Sequence, residues 1–212
     1  KIDKRKFEKN FFKFTKEKLK KKVLIIGDSI IDILRYCYQS EPIPMSTINF
    51  LKGTEQPLHS DEFHYGSIPH RYLTGCWIAL EDIHPDSGPL VIAKKSHKLP
   101  IFSLEQINVK IPKTEKEFKL TYTIYEEWVK EIIESNGLEI VTPRLNAGEC
   151  LIWLSNTLHG AYKIKNSKLT RKSLVVHYHY SNCEKIFYPS YSNLETGKLI
   201  PRVLENLDIR NK

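Results

Sequence analysis

Two histidines a hundred residues apart, with one carboxylate between them, constrain this chain more than any other feature. The first pair is His59 and Asp61 in Gln56-Pro57-Leu58-His59-Ser60-Asp61; the distant partner is His159 in Leu158-His159-Gly160. On an extended strand, side chains alternate with period two, so His59 and Asp61 are expected on one face. Adding His159 gives two imidazoles and a carboxylate. That set occupies one triangular face of an octahedral metal and leaves the opposite positions open, as in non-haem Fe(II) oxygenases. Twelve residues beyond His159 come Arg171 and Ser173, a fixed cation and a hydroxyl suited to a dicarboxylate lying across the metal. Each fragment alone also fits a blander reading: a surface turn with a capping Asp, and a satisfied core histidine.

A fold that unites such distant ligands must fold back on itself, and the chain reads that way. Short strands are expected at 46–51, 56–61, 72–83, 89–93, 150–154, 159–164 and 172–180, separated by turn residues such as Pro85-Asp86-Ser87-Gly88. The strands at 72–83 and 89–93 read as a hairpin with a longer loop. Helices concentrate elsewhere. Phe7, Phe11 and Phe14 mark an amphipathic helix over 4–21, and a second runs from Asp28 to about Tyr38, ended by Pro42 and Pro44. A third is expected over 123–135, with Thr123 and Glu126 as a capping box and Tyr125, Trp128 and Ile132 facing inward. The expected fold is therefore mainly β with flanking helices, a double-stranded β-helix of the jelly-roll, cupin-like kind. It forms one domain over 1–212, with a helical segment at 1–40 packed on it and an insertion at 94–145 covering the site.

At 212 residues the chain can bury a sizeable core, and no apolar run approaches the ~20 residues needed to cross a bilayer. Cys37, Cys76, Cys150 and Cys183 show no paired spacing and read as the reduced thiols of a cytoplasmic protein. The net charge of +8 has one source: residues 1–22 hold eleven basic against three acidic residues, and the remaining 22 of each sign cancel. A solvated face is the expected reading of that leader, and nucleic acid is not expected as a substrate because no basic–aromatic interleaving occurs in the body.

From about Phe50 to Tyr180 the chain resembles the phytanoyl-CoA dioxygenase family. The resemblance rests on four ordered blocks: Gly53 to Asp61; Trp77 to Asp82 with Ser87-Gly88-Pro89-Leu90; Ser96-His97; and Ala147 to Trp153 leading to His159 and Arg171. It implies that His59, Asp61 and His159 hold Fe(II), and that Arg171 holds the far carboxylate of the cosubstrate 2-oxoglutarate. It also implies a supporting hydroxyl from Ser173 and a contact from Gln56, with Trp77 lining the pocket. The implied activity is a 2-oxoglutarate-dependent dioxygenase that hydroxylates a small-molecule or acyl-type substrate at an unactivated C–H bond with O2, releasing succinate and CO2. A non-catalytic jelly-roll binding protein and a hydroxylase acting on a macromolecule are the alternatives.

The chain departs from the family pattern at three places. Lys94-Lys95 stands before Ser96-His97 in place of Pro-Gly, Ala161 stands where a serine or threonine is common, and Glu149 replaces an aspartate. None removes a ligand, and the presence of Asp61 favours oxygen insertion over halogenation. The pair His177 and His179 reads as structural, having no carboxylate nearby in sequence.

Overall fold

The computed structural model describes residues 28–187, except 103, 105, 111, 113 and 184. The amphipathic helix expected over 4–21 and the tail from Pro189 lie outside the described residues. Helix α1 (Asp28–Tyr38) begins and ends where the sequence places it. Strand β1 (Pro42–Phe50) follows at once and absorbs both prolines that were expected merely to stop the helix. A proline lacks the N–H a ladder needs, so it is tolerated on an outer strand, and β1 is the outermost strand of its sheet.

The remaining elements are α2 (Asp61–His64), β2 (Gly66–Ile68), β3 (Thr74–Ala79), β4 (Leu90–Ala93), α3 (Glu115–Ser135), β5 (Ile140–Val141), β6 (Cys150–Leu154), β7 (His159–Ala161), β8 (Ser173–Tyr180) and β9 (Lys185–Phe187). They form a four-stranded sheet in the order β1-β8-β3-β6, a three-stranded sheet β5-β4-β7 and a ribbon β2-β9. Every pairing is antiparallel.

The alternation of side chains splits the four-stranded sheet into two working faces. Outward-facing Cys76, Ile78, Tyr178 and Tyr180 meet Ile30, Ile33, Leu34, Cys37 and Tyr38 of α1. Burying each of the aliphatic residues contributes roughly 1.5–3 kcal/mol relative to leaving it in water. Inward-facing Trp77, Ala79, Trp153 and Val175 meet Leu90 of the smaller sheet. Strand β3 is consequently buried on both faces. All four cysteines are free thiols.

Three expectations need correction. Strands β3 and β4 do not form a hairpin: β3 pairs with β6 and β8, whereas β4 pairs with β5 and β7 in the other sheet. Helix α3 starts eight residues early, at Glu115. Its capping box is Thr114 with Glu117, each side chain bonding the other's backbone N–H at 3.2 Å. Thr123 lies mid-helix and donates to the Lys119 carbonyl. Tyr125 is buried and Trp128 and Ile132 pack inward, as the spacing required, in a cluster with Phe63, Phe102 and Leu158. Residues 56–61 are not a strand. They hold a single bridge at His59, and Asp61 opens α2, capped by the Ser60 hydroxyl that accepts from the Glu62 N–H.

Candidate metal centre

The two histidines are placed by backbone pairing. His59 N–H donates to the His159 carbonyl and His159 N–H to the His59 carbonyl, both at 2.9 Å. This reciprocal bond sets the residues directly opposite each other, with ring centroids 4.5 Å apart. The approach is close enough to require glycine next door: a Cβ on Gly160 would stand 2.7 Å from the Gln56 carbonyl oxygen.

Each imidazole is then oriented by the same local device. His59 Nδ1 lies 2.9 Å from the Pro57 carbonyl and His159 Nδ1 lies 2.9 Å from the Thr157 carbonyl. A carbonyl only accepts, so Nδ1 carries a proton in both rings and Nε2 is left as the atom available to a metal. His159 Nε2 is 3.6 Å from Asp61 Oδ1, and ligand atoms of His59, Asp61 and His159 all lie within 4.8 Å of one another. All three residues are buried. Asp61 reaches this position from the first turn of α2 rather than from a strand, so its nearness to His59 comes from the turn at Ser60.

Burial governs the charges here. It pushes His59 down to about 3, helped by neighbouring His159, and pushes His64 down to about 4, leaving both neutral at pH 7. Burial alone would raise Asp61, yet His159, His177, His59 and the Trp153 N–H hold its carboxyl below the usual value. Trp153 Nε1 donates to Asp61 Oδ2 at 2.7 Å.

These residues line a cavity of about 230 Å³ between the two sheets, with Arg171 in its wall. Arg171 is 2% exposed, donates from one terminal nitrogen to the Gly88 carbonyl at 2.9 Å, and sits near the rings of Phe50 and Trp77. Among the described residues no carboxylate pairs with it, and burial pushes it down to about 10. Its Nε, the Ser173 hydroxyl and Trp77 Nε1 are all buried without a partner among the described residues. A buried cation beside three unused donors is costly unless an anion joins it.

Gln56 also comes in. Its amide nitrogen is 3.3 Å from His59 Nε2, although strict alternation would have turned it away; residues 56–58 are not in a strand, so alternation does not apply. Two histidines outside the expected site residues also line the cavity. His177, read as structural, faces the cavity with Nε2 3.7 Å from Asp61 Oδ2. His64 lines the same cavity from the end of α2. The signal for His177 was present in the period-two row Ser173, Val175, His177, His179, which puts it on the inner face with Ser173.

Comparison with known proteins now has a geometry to stand on. The phytanoyl-CoA dioxygenase (PhyH) family profile matches residues 5–173. The chain belongs to the phytanoyl-CoA dioxygenase family. Among solved structures this family member is similar to the non-heme alpha ketoglutarate dependent carbocyclase SnoK from nogalamycin biosynthesis, at 18% identity and a TM-score of 0.58, over 83% of this chain and 65% of that one. It is also similar to the non-heme alpha ketoglutarate dependent epimerase SnoN from the same biosynthesis, at 18% identity and a TM-score of 0.51, over 84% and 62%. Likeness at this identity speaks for the fold alone. The chain thus spans just under two thirds of the length of these relatives. No curated protein matches the sequence. Among the described residues no helix is long and apolar enough to cross a membrane.

Proposed function

We propose that this chain is an Fe(II)- and 2-oxoglutarate-dependent oxygenase acting on a small-molecule substrate, with the two sheets forming the double-stranded β-helix of such enzymes. One observation carries the reading: a buried His59–Asp61–His159 donor set opens onto the same cavity as an unpaired, buried Arg171. The donor set suits iron because two imidazoles and one carboxylate fill three positions and leave the rest open. When bound, iron with 2-oxoglutarate and O2 supplies the oxidative cleavage of an unactivated C–H bond, with succinate and CO2 released.

The chain's own residues supply position and a dry environment. The Nδ1 bonds to Pro57 and Thr157 fix both rings, whose ligand atoms lie within 4.8 Å of each other and of Asp61. The far carboxylate of 2-oxoglutarate would take the donors left over in this region: Arg171 and Trp77 line the cavity, and Arg171 Nε, Trp77 Nε1 and the nearby Ser173 hydroxyl have no partner among the described residues. A guanidinium suits this task because it stays charged even at a value near 10 and offers a planar fork. Gln56 lies where it can steady His59 or the cosubstrate, and burial of the set keeps water from the reacting centre. Hydroxylation is the favoured outcome, since Asp61 fills the carboxylate position.

The test is succinate formation from 2-oxoglutarate on adding Fe(II) and ascorbate, followed by a metabolite screen for the gain of one oxygen. Asp61→Ala is expected to abolish both. Metal binding without any succinate would instead make the chain a non-catalytic binding protein, and wild-type turnover in Asp61→Ala would remove the site assignment.

A further inference from the structure

A glycine in the middle of a central strand, buried on both sides, lacks the side chain a core position normally supplies and marks a place where something approaches closely. Gly75 is such a residue, and it lies in the middle of a cross-strand row. The register pairs Gly75 with Trp153 on β6 and with His177 on β8, and pairs His177 with Ser46 on β1. The row Ser46, His177, Gly75, Trp153 therefore runs across all four strands at one level. Its members face inward: Trp153 and His177 line the cavity, whereas their sequence neighbours Ile152 and Tyr178 pack towards α1.

The indole of Trp153 lies over the gap at Gly75. A Cβ there would come within 2.6 Å of the indole nitrogen. Leaning into this space, Trp153 does two things at once. Its N–H donates to Asp61 Oδ2 at 2.7 Å, and its ring lies 4.4 Å, centroid to centroid, from that of His159. On the far side of Gly75, His177 approaches the same Oδ2 at 3.7 Å and is itself fixed by Ser46 Oγ, 2.9 Å from its Nδ1. One carboxylate oxygen is thus held by the sheet, and Oδ1 is left facing His159.

The geometry points to Trp153 as a positioning residue for the metal centre, with Gly75 making its place: the indole N–H holds the outer oxygen of Asp61 so that Oδ1 alone is presented to the metal. This rests on the iron-site reading above and adds a role that belongs to neither a ligand nor a cosubstrate contact. Hydrogen bonds to a ligating carboxylate orient it, and their loss commonly weakens metal affinity by about 10- to 100-fold.

The experiment is Co(II) binding to the metal-free full chain, read by calorimetry and by the visible absorption of the bound ion, alongside the melting midpoint of the metal-free protein. Trp153→Phe keeps a ring and removes the N–H; its dissociation constant for Co(II) is expected to rise by roughly tenfold or more, with a changed absorption band. Gly75→Ala, which keeps the indole but pushes it aside, is expected to do the same, and gives the reading should Trp153→Phe fail to fold. A lower melting midpoint with wild-type Co(II) affinity and spectrum in either folded variant would show a merely structural indole and overturn the inference. Asp61→Ala separates the two levels. If it loses Co(II) while Trp153→Phe binds like wild type, only the positioning role falls; if it binds like wild type, the iron-site reading and this inference fall together.

Discussion

Arg171 offers a sharp test of the cosubstrate site, because the same substitution should move affinity and stability in different directions. Consider Arg171→Met, which preserves bulk and removes the charge. The guanidinium is 2% exposed, makes one hydrogen bond to the Gly88 carbonyl, and leaves Nε without a partner among the described residues. Removing an uncompensated buried cation recovers desolvation cost and loses one bond and two ring contacts, so ligand-free stability is expected to stay level or rise by about 1 kcal/mol. The 2-oxoglutarate complex loses much more. Truncating one partner of a buried charge pair costs about 2–5 kcal/mol, which raises the dissociation constant roughly 30- to 4,000-fold. Arg171→Lys keeps the charge without the fork and should fall between. The assays are calorimetric titration of 2-oxoglutarate into the Mn(II)-loaded protein, and urea unfolding of the ligand-free protein. An unchanged 2-oxoglutarate affinity in Arg171→Met would refute the argument, because the buried donors would then serve something other than that carboxylate.

Two further perturbations probe the supports of the site. Tyr125→Phe removes the hydroxyl that accepts the Ser60 N–H at 2.9 Å; leaving that buried donor unpaired should cost ~1–3 kcal/mol in urea unfolding, and a wild-type unfolding curve would mean the donor finds another partner. His179 provides the pH dependence: burial pushes it from 6.5 down to about 4. Between those values the unfolded chain holds the extra proton, so stability of the metal-free protein should fall on acidification through that window, by roughly 3 kcal/mol from this residue alone. His179→Gln should flatten the difference in unfolding free energy between pH 7 and pH 4.5; an unaltered slope would contradict the assignment.

What could be read in advance follows physical lines. The meeting of His59, Asp61 and His159 was legible because the proposed metal site calls for particular residue types, and α1, β6 and β8 because their apolar residues recur regularly. The start of α3 was hidden because its first turns, Glu115 to Leu120, are mostly charged and exposed, with only Phe118 half-buried and no periodic stripe. The separation of β3 and β4 into different sheets was not legible at all, since a strand's own residues do not name its neighbours. His177 was passed over for a similar reason. Its carboxylate neighbour, Asp61, is over a hundred residues away on α2, and only the folded chain brings the two together. Asp61 itself was placed beside His59 for an incorrect reason, since it is the first residue of a helix and not the last of a strand over 56–61.

The two prolines of β1 have a bearing on how copies of this molecule meet. An exposed sheet border is a template onto which another chain can stitch itself, and uninterrupted borders invite such growth. Pro42 and Pro44, with the break in register just after them, carry no N–H to offer and interrupt the regular ladder at this end of the outermost described strand. Replacing both with ordinary β-forming residues would complete the border, and the cost would be felt as filament or aggregate formation before any loss of catalysis.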